Sequence, residues 1–307
     1  MIKITNPGML TTVQDFGRTG YQKTGFTKSG VMDEKSAKTA NILCGNSYDT
    51  PLLEMTIFGI TCEFTDDTYF CISGGNFSPA LNGTPITNNR VYLALAGSIL
   101  TMGAAKSGAR SYLAVTGGFD VPSVMGSAST NLKIGIGGFE GRKLKAGDML
   151  NVKNSDIKPN LQKTADNEEF PDEITVRVVL GPQDDMFTEN DIKLFLSQTY
   201  CVTPFFDRMG IRLNGIALKG KDGMDIISDG ITFGSVQVSR NGMPIILMAD
   251  HQTTGGYAKI ATVISSDLPK LAQVKGNNKI KFKKISVDKA EKLAIKDNKY
   301  FNKLMKR

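Results

Sequence analysis

The sequence predicts a mainly β protein with a few short helices, arranged as two β-rich halves. Three observations carry this prediction. Glycine supplies 32 of the 307 residues, above the usual share of about 7%. Short runs rich in Val, Ile, Thr and aromatic residues recur along the chain, each bounded by Gly, Asn or Pro turns. One long polar stretch, Lys153–Glu173, interrupts that pattern near the middle. It sets the expected division: a first domain over 1–155, a polar linker over 156–172 and a second domain over 173–307.

The elements follow in order. The spacing predicts strands at Met1–Asn6, Leu52–Phe58, Thr61–Phe64, Tyr69–Ser73, Arg90–Leu95, Ser98–Met102, Ser111–Thr116 and Asp148–Lys153. The second half adds Ile174–Leu180, Ile211–Leu213, Ala217–Lys219, Ser235–Val238, Pro244–Met248, Lys259–Val263 and Lys279–Lys284. Asp33 reads as an N-cap followed by Ala37, Ala40 and Cys44 at helical spacing, with Gly45-Asn46 as the stop. Thr188 caps a second helix, Asp267–Gln273 forms a short third, and Ser286 opens a last one with Ala290, Leu293, Ala294, Phe301 and Leu304 on one stripe. Each half ends in a strand–Gly turn–strand unit.

Charge narrows the function. The net charge is +7, but residues 270–307 hold 13 Lys/Arg against 3 Asp/Glu, leaving 24 basic and 27 acidic side chains in residues 1–269. Composition therefore gives no support to nucleic-acid binding by the body of the chain, and the basic tail reads as a solvated helix. Four cysteines without a C-x-x-C pair read as free thiols in a reducing compartment. No zinc pattern and no metal site is expected. Nothing approaches the roughly 18 apolar residues of a membrane span, so a soluble, cytoplasmic protein is expected.

Three polar, glycine-bearing segments stand apart. The first, Thr12–Gly25, packs Gln14, Asp15 and Arg18 among glycines, and Ser29 follows just before the Asp33 cap. Glycine lets backbone N–H groups approach a ligand, and Arg18 offers a planar fork for a carboxylate or phosphate. The second, Phe206–Gly215, places Arg208 and Arg212 four apart around Gly210. Paired guanidiniums suit a carboxylate or carboxyphosphate. The third, Ala249–Tyr257, follows an apolar strand and carries Asp250, His251, Thr253, Thr254 and Tyr257, with Gln237 upstream. His251 is the sole histidine, and no G-x-S-x-G elbow accompanies it. Neither G-x-x-x-x-G-K-[ST] nor a strand–G-x-G-x-x-G–helix unit is present.

These segments, in this order, resemble the family that includes allophanate hydrolase subunit 2, the biotin-dependent carboxyltransferase-like proteins and the C-type component of 5-oxoprolinase. The matching motifs are TVQDFGRTGYQKTGFTKSGVMD at Thr12–Asp33, DRMGIRLNG at Asp207–Gly215, SDGITFGSVQV at Ser228–Val238 and GMPIILMADHQTTGGYAKIATV at Gly242–Val263. His251 departs from the pattern, where the family more often has Arg. The resemblance implies two cyclophilin-like β-barrel domains. It also implies partners: a sister subunit of related fold (the B-type component of 5-oxoprolinase, or allophanate hydrolase subunit 1) and a lactam-utilising subunit, the A-type component. The active site is expected to be shared with the sister subunit.

Three activities are compatible with the resemblance. The leading one is a subunit of an ATP-dependent 5-oxoprolinase, inactive alone, in a complex that opens 5-oxo-L-proline to L-glutamate. A carboxyltransferase subunit working with biotin is the alternative, although the chain has no A-M-K-M biotinyl motif. A regulatory protein that antagonises a kinase-inhibitor sister is the third. Under the leading reading ATP belongs to the complex. Asp15, Arg18, Arg212 and Asp250 are the expected catalytic residues, the arginines stabilising a transferred phosphoryl group or holding substrate and the aspartates positioning water or a metal ion. Gln14, Ser29, Arg208, Gln237, Thr253, Thr254 and Tyr257 are the expected substrate contacts.

Overall fold

The computed structural model describes residues 1–221 and 223–306. The chain divides into two compact units. The first holds Met1–Thr19, Ser29–Phe170 and the chain end from Tyr300; the second holds Gly20–Lys28 and Pro171–Lys299.

The first unit contains strands β1 (Ile2–Asn6), β2 (Leu10–Gln14), β3 (Leu52–Thr56), β4 (Thr61–Phe64), β5 (Thr68–Asn76), β6 (Ala80–Leu81), β7 (Thr84–Pro85), β8 (Val91–Ala94), β9 (Ile99–Thr101), β10 (Ser107–Val115) and β11 (Met149–Leu150), with helix α1 (Glu34–Leu43). They form a six-stranded sheet, β11-β1-β4-β9-β6-β7, and a five-stranded sheet, β2-β3-β10-β5-β8. The mainly β expectation thus holds, with open sheets here rather than a closed ladder.

Side-chain alternation explains why β5 and β10 read as continuous apolar runs. Phe70, Ile72, Leu113 and Val115 join Ile2, Ile4, Phe64 and Leu100 in one core. Their neighbours Cys71, Tyr112 and Ala114 point the other way, into a second core with Ala37, Ala40, Leu43 and Cys44 around α1. Asp33 caps α1 as its sequence predicts, accepting from Ser36 N at 2.9 Å. The polar stretch after β11 is tied down: Thr164 bridges Arg90, Ala165 N donates to Asn89 O, and Glu168 pairs with Lys35. Residues 156–170 accordingly count with the first unit.

The second unit contains β12 (Glu173–Leu180), α2 (Glu189–Ser197), β13 (Tyr200–Phe206), β14 (Gly210–Asn214), β15 (Asp225–Gly230), β16 (Ser235–Val238), β17 (Pro244–Leu247), β18 (Thr254–Tyr257), β19 (Lys259–Val263), α3 (Leu268–Ala272), β20 (Lys279–Lys284) and the start of α4 (Val287–Lys306). Seven strands close a barrel in the order β12-β19-β16-β17-β14-β13-β20. Parallel pairing of β12 with β20, from Glu173↔Lys279 to Val178↔Lys284, shuts it. Thr188 and Asp191 make a reciprocal capping box on α2. The expected strand Ala217–Lys219 is not formed: Leu218 N bonds Gly242 O and Lys219 N bonds Asp191 Oδ1, so this segment serves a turn and a helix cap.

Register positions the functional surface. Ile211, Ile246, Val236 and Ala261 are cross-strand partners and are buried. One residue along, Arg212, Ile245 and Gln237 are partners on the opposite face, and a bulge in β19 brings Lys259, two residues from Ala261, opposite Gln237. The barrel wall therefore carries a mixed polar row on its outer side.

Candidate functional site

In the first unit the Gln14–Arg18 loop is welded to a second loop, 127–138. The Asp15 carboxylate accepts from Ser127 Oγ, Ser129 Oγ and Ala128 N, each at 2.6 Å, and from Gly17 N at 2.7 Å. Four donors on one carboxylate make it a clamp between loops more than a hundred residues apart in sequence. Arg18, only 1% exposed, donates from Nη2 to the Ser129 carbonyl. Gln14 is fully buried; Nε2 donates to Thr12 Oγ1 and Thr130 O, and Oε1 has no hydrogen-bond partner. Ser29 sits in the left-handed region at φ 56° and accepts from Asn131 Nδ2 at 3.0 Å. The four sequence-predicted residues of this unit are thus brought into one polar cluster, buried at Gln14, Arg18 and Ser29 and half-buried at Asp15.

A deeper layer supports it. Glu54 Oε2 accepts from Met32 N at 2.8 Å and from Tyr112 Oη at 2.9 Å, while Tyr112 Oη accepts from Asp33 N at 2.8 Å. Burial, then the Glu54 and Asp33 carboxylates, push the Tyr112 phenol well above its ordinary value. It stays a neutral donor at physiological pH and holds the segment behind Ser29.

In the second unit Arg208 and Asp250, both buried, form a bidentate pair. Asp207 Oδ1 accepts from Met209 N and Gly210 N, bending the chain into β14. Arg212, next but one along that strand, is exposed and faces an open cleft of about 670 Å³. Gln237, Ser239 and Tyr257 supply further polar groups to this cleft, and Phe206, Ile245 and Leu247 supply apolar walls. The Gln237 amide, 2% exposed, donates to Tyr257 O at 3.2 Å. Thr253 and Thr254 stand apart from the cleft lining: Thr253 O accepts from Ile231 N, and Thr254 pairs with Gly230 in a two-stranded ribbon of β15 and β18.

His251 is buried beside this loop. Burial holds its imidazole below the ordinary value of 6.5, against the opposing pull of the Gln252 carbonyl and the Asp250 carboxylate. Nδ1 lies 2.7 Å from Gln252 O, so Nδ1 carries the proton and Nε2 remains an acceptor. All four cysteines are free. Burial pushes the thiols of Cys44, Cys62 and Cys71 up, Cys62 to about 12, so none of the three is a ready nucleophile. Among the described residues no group of three or more His, Cys, Asp or Glu is placed to hold a metal ion, and no helix is long and apolar enough to cross a membrane.

Sequence reasoning missed the 127–138 loop and the Glu54–Tyr112 support. The first had a signal in its glycines: an added Cβ at Gly137 would overlap the Ser129 carbonyl, and one at Gly138 the Thr130 hydroxyl. The second had none, because a lone Glu in an apolar strand acquires meaning only from its partners.

Comparison with known proteins matches residues 24–284 to the family described as carboxyltransferase domain, subdomain A and B. Two curated relatives, the 5-oxoprolinase C subunits of Haemophilus influenzae and of Escherichia coli, are each 38% identical over 304 residues, covering 99% of this chain and 97% of their own. Among solved structures, the Kluyveromyces lactis urea carboxylase superposes with a TM-score of 0.92 at 29% identity, over 99% of this chain and 29% of that one.

Proposed function

This chain belongs to the carboxyltransferase domain family, subdomains A and B, and from that premise we propose that it is the C subunit of an ATP-dependent 5-oxoprolinase. The complex would hydrolyse 5-oxo-L-proline to L-glutamate, its other members being a sister subunit of related fold and a lactam-utilising one. One observation carries the reading: the match to two 5-oxoprolinase C subunits runs nearly end to end in both directions. In keeping with the family we assign both β units to the cyclophilin-like class, and we place the chain in the cytoplasm.

The outer cleft of the second unit suits such a substrate. Its volume falls within the roughly 300–1,000 Å³ of small-molecule sites. Arg212 presents a guanidinium fork to a carboxylate. Gln237 offers an amide complementary to a lactam, and Ile245 and Leu247 offer apolar walls for ring carbons. In the ring opening the lactam C–N bond breaks, the oxygen of water adds to the carbonyl carbon, and a proton passes to the departing nitrogen.

The other named residues act in support. Asp15 and Asp250 are occupied, one by four donors and the other by Arg208. We therefore assign Asp15, Arg18, Arg208 and Asp250 as positioning residues, and Gln14 and Ser29 as members of the clamped loop cluster. Thr253 and Thr254 set the ribbon that carries Tyr257. The α1 N-terminus is capped by Asp33 and the α2 N-terminus by Thr188, so neither of these two helix ends is an open phosphate cradle. We place ATP elsewhere in the complex.

A carboxyl-transfer reading has support from the fold shared with urea carboxylase; there Arg212 would meet a carboxylated biotin. The deciding experiment reconstitutes this chain with its sister and lactam-utilising subunits and measures glutamate released from 5-oxoproline with ATP. Release that depends on this chain is expected. An inert complex that gains activity only when a biotinylated carrier and urea are supplied would replace this reading with the second.

A further inference from the structure

We propose that the first unit carries a second ligand site, separate from the Asp15 loop cluster, that takes a small protonated amine. The site is a cavity of about 210 Å³, some seven times the roughly 30 Å³ share of one water. Lys35, Ser36 and Thr39 of α1, Ser73 of β5, Asn89 and Glu168 are among its lining residues. A second hollow of similar size shares Gly74, Asn167, Glu168 and Phe170 with it, so a ligand has room to extend along the 166–170 segment.

Asn89 makes this more than a gap. It is 5% exposed and held at φ 58°. Its backbone is fixed on both sides, N donating to Ile72 O at 2.7 Å and O accepting from Ala165 N at 3.2 Å. Both protons of its amide are spent, on Asp166 O at 2.8 Å and Asn167 Oδ1 at 3.2 Å. Those two acceptors also fix which way the amide is turned. Oδ1 is left buried without a hydrogen-bond partner, a condition that calls for a donor.

The other groups point to the same chemistry. Ser36 Oγ donates to Asp33 Oδ2 and Thr39 Oγ1 donates to Lys35 O. With their protons committed, both oxygens can only accept from a ligand. The Lys35 ammonium is paired with Glu168, whose carboxylate, by hydrogen bond and by charge, opposes the lowering of its pKa by burial and leaves it raised. With Asp166 also in the lining, the charges sum to a net negative. The α1 N-terminus does not compete for an anion, because Asp33 already caps it. An acceptor-rich, net negative cavity without a three-ligand metal cluster fits a cation that brings its own N–H donors.

The test titrates the full chain with methylammonium chloride and follows backbone amide NMR signals of Lys35, Asn89 and Asn167. Tetramethylammonium, a cation without N–H donors, and sodium acetate serve as controls. Saturable shifts with methylammonium alone are expected. Asn89→Gly, which keeps the positive φ, and Thr39→Val should each weaken binding tenfold or more, with thermal melts confirming that the variants fold. If Asn89→Gly fails to fold, Thr39→Val decides. No saturable shift, equal shifts with either control, or wild-type affinity in the folded variants would overturn the proposal. None of these readouts depends on 5-oxoprolinase activity.

Discussion

Arg208 and Asp250 are joined twice over. The guanidinium Nε and Nη2 donate to the two carboxylate oxygens at 2.9 and 3.1 Å, and the Asp250 amide donates back to the Arg208 carbonyl at 2.7 Å. The pair locks the turn before β14 to the end of β17, and with them the strand on which Arg212 stands.

Breaking that pair from one side should be costly. Asp250→Ala strips a buried guanidinium of its carboxylate and should lower stability by about 3–5 kcal/mol. The double variant Arg208→Met/Asp250→Leu should recover much of the loss, since no buried charge remains. Urea unfolding of the isolated chain measures both. Equal losses in the single and double variants would mean that packing, not charge pairing, dominates.

Arg212 should behave in the opposite way. It is exposed, so Arg212→Ala should leave the unfolding midpoint within experimental scatter. In the reconstituted complex it should lower kcat/KM roughly 10- to 150-fold, the equivalent of one charged hydrogen-bonding contact of about 1.5–3 kcal/mol. Arg212→Lys should restore only part, because a point charge lacks the bidentate fork. Full activity in Arg212→Ala would take the cleft out of substrate binding.

The glycine loop gives a paired comparison. Gly138 has φ +56° and an added Cβ would overlap Thr130 Oγ1; Gly135 has φ +65° and open space around it. Gly135→Ala should cost about 1 kcal/mol from backbone strain alone. Gly138→Ala should cost roughly 2–3 kcal/mol, because it also displaces the Thr130 hydroxyl that donates to Val13 O. Thermal denaturation of the two variants side by side reads the difference.

His251 predicts a pH dependence. Its folded pKa lies below 6.5, and the unfolded value is near 6.5. Above that pH neither state holds the proton and stability is unaffected. As pH falls from 6.5 through the folded value, only the unfolded chain is protonated, so stability declines by at most about 1.4 kcal/mol per pH unit. His251→Gln should flatten that decline. The carboxylates held low by ion pairs, such as Asp267 beside Arg177, act only below their ordinary 3.8, so the two windows separate in denaturation midpoints taken from about pH 7.5 to 5.

What the sequence displays depends on how local the cause is. The Asp33 and Thr188 caps are legible because donor and acceptor lie three residues apart. The β5 and β10 runs are legible because both faces of their sheet are buried. β2 reads as a polar loop, yet it is a strand whose Thr11 and Gln14 are buried and bonded, Thr11 Oγ1 to Pro7 O and Gln14 to Thr130 O. β13 hides behind Pro204, and β18 behind Gly255 and Gly256. The same holds for the site. Arg212 stands out as a charge beside a glycine turn, whereas the tasks of Asp15 and Glu54 are set by Ser127, Ser129 and Tyr112, which no short-range pattern links to them.

The parallel pairing of β12 with β20 has a consequence for biosynthesis. On the ribosome β12 emerges with one lateral edge lacking its final neighbour, and that neighbour is translated only after the six other barrel strands. Until Lys284 leaves the exit tunnel, the backbone donors and acceptors on that edge of β12, and those that β13 turns toward β20, are available to a chaperone or to another nascent chain. Premature termination between β19 and β20 would thus yield a product with two adhesive strand edges, more prone to self-association than its modest loss of length suggests.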